Sequence, residues 1–127
     1  MKNCFSIFVL ALFFNVMNVN AFDDESLEDM KGFMDAICNS NYDQVANYLG
    51  NNNFNINARS CKTGSTALHL AVANSDDKMV EILLQQKNIN ISIKNNLGFS
   101  ARHYARKSKN PKIRQLFQNH ESCCLIL

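Results

Sequence analysis

Apolar positions in the middle of the chain follow the spacing of short amphipathic helices. Leu68, Ala71 and Val72 stand at i, i+3 and i+4 and share one helix face. Met79, Val80, Ile82, Leu83 and Leu84 form the buried stripe of a second helix. Asp76 and Asp77 open that helix, as acids suit the positive end of a helix dipole. Asn88 follows it where glycine is absent, which predicts a left-handed stop. Further on, Asn110-Pro111 reads as an N-cap followed by proline at the first helical position.

The pattern recurs. Gly64-Ser65-Thr66-Ala67-Leu68-His69-Leu70-Ala71 returns 34 residues later as Gly98-Phe99-Ser100-Ala101-Arg102-His103-Tyr104-Ala105. Met79, Ile82 and Leu83 map at the same offset onto Ile113, Leu116 and Phe117. An earlier copy lies 35 residues upstream, where Ala36, Val45, Leu49 and Ile56 match Ala71, Val80, Leu84 and Ile91. Asn55-Ile56-Asn57-Ala58-Arg59 parallels Asn90-Ile91-Ser92-Ile93-Lys94. Each unit is therefore two antiparallel helices and an extended loop, with Ala71 small enough for close helix approach. One unit cannot bury both its faces, so neighbours must stack, and about three units are the minimum for stability. Repeats are expected at about 30–59, 60–94 and 95–121 within a domain spanning 30–121.

The ends differ from this pattern. Residues 1–21 carry Lys2, a nearly unbroken apolar run from Phe5 to Phe14, and Val19-Asn20-Ala21 before a cut. That is the layout of a secretory signal peptide, and the run is shorter than the roughly 20 apolar residues a membrane span needs. The mature chain is then expected to begin at Phe22. Residues 22–29 form a leader with five acids in eight positions. Residues 122–127 form a Cys-Cys apolar tail.

Composition narrows the class without naming a function. The 127 residues are 46% hydrophobic and 19% charged, the balance of a folded globular chain. A net charge of only +2 argues against a nucleic-acid partner. No tryptophan, one proline and four glycines disfavour an all-β protein built on tight turns. No nucleophile–base pair, glycine-rich phosphate loop, carboxylate dyad or metal-ligand spacing stands out, so no catalytic residue, cofactor or metal is expected.

Thr66-Ala67-Leu68-His69-Leu70-Ala71, preceded by Gly64, resembles the T-P-L-H-x-A helix start of ankyrin repeats. Val80-Glu81-Ile82-Leu83-Leu84 resembles their second helix, and Asn55-Ile56-Asn57-Ala58 their end-of-repeat segment. The resemblance covers roughly residues 30–120. It implies an all-α solenoid of helix-turn-helix units with β-hairpin fingers. The first copy has Phe33-Met34-Asp35-Ala36 in place of the motif and suits an N-terminal cap. In the last, Arg102 replaces the usual leucine, and Lys109, Lys112 and Arg114 give the polar outer face of a C-terminal cap. Ala67 and Ala101 stand where the family has proline. His69 and His103 are expected as clamps, each imidazole bonding the Thr66 or Ser100 hydroxyl and a neighbouring loop. His120 is expected as a solvated end residue.

The family implies a non-catalytic module that binds another protein, here as a monomer. Family contacts come from the fingers and the exposed side of the first helices. Carried over by position, these are Thr63, Ser65, Ala73 and Asn74 in the middle repeat, and Asn96, Leu97, Phe99, Lys107 and Ser108 in the last. Leu97 and Phe99 are the expected anchors, because exposed apolar groups carry binding energy. The alternative for Phe99 is packing on the neighbouring finger.

The cysteines leave alternatives open. Cys38 and Cys61 permit a disulfide in an oxidising compartment, with Cys38 as a plain buried residue the preferred reading. Cys124-Leu125-Ile126-Leu127 has the C-a-a-X form associated with geranylgeranylation, and Cys123 beside it offers a palmitoylation site. A thiol redox role for Cys123-Cys124 is the enzymatic alternative. The leading expectation is a periplasmic or secreted protein. The other is a bacterial effector tethered to host membranes by prenylation, since export and cytosolic prenylation coexist only if the chain reaches a host cytosol.

Overall fold

The computed structural model describes residues 27–125, with side chains described as far as Ser122. The chain divides into two units, residues 1–32 and 33–127, and the second holds the repeats. Among the described residues six helices follow one another: α1 (27–38), α2 (Tyr42–Leu49), α3 (Ala67–Ala73), α4 (Asp77–Leu84), α5 (Ala101–Lys107) and α6 (Pro111–Leu125). They pair as α1–α2, α3–α4 and α5–α6. In the second and third units α3 packs on α4 and α5, α4 on α6, and α5 on α6.

The core follows the expected stripes. Leu68, Ala71, Val72, Met79, Val80, Leu83, Ile113 and Phe117 are all buried. Ala71 and Ala105 are wholly enclosed, and their single methyls let α3 and α5 approach closely. The first unit, without the motif, uses aromatic packing instead. Phe33 sits 4.6 Å from Phe54 and 5.6 Å from Tyr48 between ring centroids, both edge-on, the favoured geometry for such pairs.

Helix starts obey the capping chemistry in the sequence. Asn41 accepts from Gln44 N–H at 3.2 Å, Asp76 from Met79 N–H at 3.0 Å, and Ser100 from His103 N–H at 3.3 Å. Each replaces a hydrogen bond that the first helical turn cannot make for itself. Asn110 Oδ1 accepts from Lys112 N–H at 3.0 Å, and α6 starts at Pro111 as expected.

The helix ends depart from expectation. Among the described residues, the left-handed residues other than glycine are Ser40 (φ 53°) and Ser75 (φ 57°), at the turns joining the two helices of the first and second repeats; Asn88 is not one of them. Helix α4 stops earlier, capped by Gln85 in a right-handed conformation whose N–H reaches Glu81 O. Residues 122–125 do not form a separate tail: α6 runs on through them to Leu125.

The fingers are tight loops and not extended hairpins. Among the described residues, antiparallel pairing is limited to one bridge, Lys94 with Ser100. Backbone turns do the rest. Ser60 N–H donates to Ser65 O at 2.8 Å, and Asn95 N–H to Phe99 O at 2.9 Å.

Polar side chains set the register between units. Tyr42 Oη and Ser40 Oγ both donate to the Asp76 carboxylate, Ser40 at 2.6 Å. Asn57 treats the next loop as a strand partner: its Nδ2 donates to Asn88 O at 2.7 Å and its Oδ1 accepts from Asn90 N–H at 2.9 Å. Lys112 Nζ lies 2.6 Å from Asp77 Oδ2. Their direct hydrogen bond holds the Asp77 carboxyl below, and the Lys112 ammonium above, their ordinary ranges.

Candidate interaction surface

The third finger is built around Asn95, a buried residue that the sequence reading passed over in favour of its neighbour Asn96. Asn95 Oδ1 accepts from the N–H groups of Leu97 and Phe99 at 3.0 and 3.1 Å, and Nδ2 donates to Tyr104 Oη at 3.0 Å. A side-chain amide that closes a loop on itself is a recurrent use of asparagine. The clue available in the sequence was only that Asn95 precedes a turn with glycine at 98. Gly98 sits at φ 82°, a conformation that costs glycine nothing.

This frame pushes two large apolar side chains outward. Leu97 is 72% exposed and Phe99 41%. The Phe99 ring stacks on His103 of its own repeat, 4.5 Å between centroids and 13° between planes. Thr63, Ala73, Asn74, Asn96 and Lys107 are exposed beside it in the sequence pattern, and Ser108 is half-buried. Ser65 does not belong with them. It is buried at 9% exposure, and its N–H donates to Thr63 Oγ1 at 3.3 Å. Asn96 is exposed but engaged, donating through N–H to Thr63 O at 3.0 Å and through Nδ2 to Lys62 O at 3.2 Å.

Beneath the surface, His69 ties the second unit to the third. Thr66 N–H donates to His69 Nδ1 at 3.1 Å, with the Thr66 hydroxyl 2.9 Å from the same nitrogen. A backbone N–H is only a donor, so Nδ1 carries no proton and Nε2 does. Nε2 then donates to Phe99 O at 3.0 Å, in the next finger. The ring is neutral: burial lowers its pKa, the nearby Arg59 charge acts in the same direction, and the Phe99 carbonyl opposes them. His69 is thus the expected clamp, and it holds the backbone of the residue whose side chain is displayed. His103 is not. Its ring rests on Phe99 and makes no hydrogen bond among the described residues.

Two other expectations change. Cys38 and Cys61 are free thiols, and both are exposed. Cys38 ends α1 one position beyond the inward face formed by Phe33, Met34, Ala36 and Ile37, so it points away from the core. His120 is half-buried, with Nδ1 closed off from solvent and without a hydrogen-bond partner among the described residues. The signal segment 1–21, the leader as far as residue 26, and the side chains of Cys123 and Cys124 lie outside the described residues.

Among the described residues no cluster of acids, histidines or cysteines has metal-binding geometry, and no helix is long and apolar enough to cross a membrane. The family model described as ankyrin repeats, in three copies, matches residues 33–125. The chain belongs to the ankyrin-repeat family. An ankyrin repeat protein of Fowlpox virus (strain NVSL) is 46% identical over 65 residues, which cover 51% of this chain and 19% of that protein. The chain thus spans about a fifth of the length of the curated relative it matches. Ankyrin repeats are protein–protein interaction modules, and this array exposes Leu97 and Phe99 on the finger of the third repeat.

Proposed function

We propose that this ankyrin array binds another protein without catalysis of its own, and that the contact centres on Leu97 and Phe99. The supporting observation is that both large apolar side chains stand exposed on a loop whose backbone Asn95 and His69 already fix. A preformed loop loses little further entropy on binding, so apolar burial there goes largely into affinity. Thr63, Asn74, Asn96, Lys107 and Ser108 give that contact a polar surround, the usual rim, with Ala73 on the exposed side of α3 beside Asn74. We also read the protein as exported, from the signal-like residues 1–21.

The test places a photo-crosslinking amino acid at Ala73, on the exposed side of α3, and follows adducts in the native host with and without L97S/F99S. Loss of two anchors is expected to weaken specific adducts by about 30-fold or more. An unchanged adduct pattern, with an unchanged unfolding midpoint, removes Leu97 and Phe99 as the site. Intact mass from the same cells reports the processing: a chain beginning at Phe22 supports export, and one retaining residues 1–21 refutes cleavage. A prenyl mass on Cys124 would favour the membrane-tethered alternative.

A further inference from the structure

The charges of this chain are sorted along its length. Residues 23–43 hold seven of the eleven acids and one base, whereas residues 95–122 hold six of the thirteen bases and one acid. Three of those bases border a recess in the last repeat. Helices α5 and α6 leave between them a cleft of about 310 Å³. Ala105 and Phe117, both part of the core, floor it. Arg102 and Arg106, one helical turn apart on α5, and Arg114 from α6 line it, together with Glu121.

The side chains show what chemistry the cleft accepts. Glu121 is already ion-paired to Arg102 Nε, so one guanidinium here holds a carboxylate. Arg114 donates to Ser108 O, which anchors its side chain and leaves other N–H groups of its fork free. Arg106 is exposed and has no carboxylate partner among the described residues. A planar guanidinium fork matches a carboxylate in a way that a lysine ammonium does not. A membrane surface fits the cleft poorly, since phosphates presented in a plane do not reach into a recess.

We propose that this cleft is a second binding site, for an acidic segment of a partner protein. Its carboxylates lie on Arg106 and Arg114, which border the recess between α5 and α6. The excess of positive charge on the last repeat would draw such a segment in, and added salt would weaken the complex. The site shares no residue with the Leu97–Phe99 surface and does not depend on it.

The experiment uses the full chain and a fluorescein-labelled hexapeptide of glutamate pairs separated by leucine, followed by fluorescence anisotropy at low and high salt. Arg106→Glu is expected to weaken binding by about tenfold or more. Arg106→Lys, which keeps the charge but loses the fork, is expected to fall between. Lys109→Glu reverses a nearby exposed charge outside the cleft, and its effect is expected to be at most about twofold. Equal losses in R106E and K109E would overturn the proposal, since general electrostatics would then suffice. So would peptide binding unaffected by R106E, or no peptide binding at all. Phosphatidylserine vesicles bound more tightly than the peptide, with that binding lost in R106E, would overturn it in favour of a membrane. A salt-sensitive oligomer that R106E dissolves would overturn it in favour of a second copy of this chain.

Discussion

The replacement His69→Ala should be far more damaging than His103→Ala, although the two residues hold the same position in consecutive repeats. His69 is 4% exposed, and its ring closes two hydrogen bonds at once, 3.1 Å from Thr66 N and 3.0 Å to Phe99 O. Removing it leaves the first-turn N–H of α3 without its partner, a loss of about 1 kcal/mol by analogy with other caps. The bond to Phe99 O adds about 1 kcal/mol, and the hole left by a buried ring about 1 more. The total of about 3 kcal/mol corresponds to roughly 15 °C in Tm for a domain of this size. His103 loses only its stack on Phe99, about 1 kcal/mol or less. Urea unfolding followed by circular dichroism measures both.

The same variant has a pH signature. Burial lowers the His69 pKa in the native state, so the unfolded chain binds the proton more readily. Stability from this residue is therefore complete above the usual imidazole value of about 6.5. It declines as pH falls below that, by at most about 1.4 kcal/mol per pH unit, and levels off beneath the native pKa. His69→Ala should lack this component. A loss under about 1 kcal/mol, or equal losses for the two histidines, would refute the clamp.

The glycines and the left-handed serines give further tests by the same unfolding assay. Gly64 and Gly98 both have positive φ, but a Cβ at Gly64 would lie 2.3 Å from Asn96 Oδ1 and 2.6 Å from Arg59 Nη2, whereas at Gly98 it would meet nothing within 4 Å. Gly98→Ala should cost only the conformational strain, about 1 kcal/mol, and Gly64→Ala clearly more; equal costs would show that Arg59 and Asn96 yield freely. Ser75→Gly should stabilise by about 0.5–1 kcal/mol by relieving a left-handed serine. Ser40→Gly should help less, because the Ser40 hydroxyl donates to Asp76 at 2.6 Å. A Ser75→Gly variant no more stable than the parent would mean that unfolded-state entropy cancels the relief.

What the sequence alone determined was set by local chemistry and by period. Helix starts at Thr66, Asp76, Ser100 and Asn110 depend on residues within one turn, and the stripes of α3 to α6 on spacings of three and four. The 34-residue return shows that units stack, because no unit has enough apolar surface to fold alone. Leu97 and Phe99 were legible as exposed residues because the repeat places that segment in a finger. Position in a repeat says nothing about where a neighbouring loop turns its hydrogen bonds. Thus Ser65 was expected outside and lies inside, and Asn95, which organises the finger, looked like any polar loop residue. Cys38 was expected to be buried, yet it stands one position past the inward face of α1. The two histidines share one motif, but among the described residues only His69 meets a loop carbonyl, Phe99 O. The arginine-lined cleft exists only because α5 and α6 bring together side chains separated along the chain. Those outcomes depend on what occupies the far side of each residue, and that was decided when the repeats stacked.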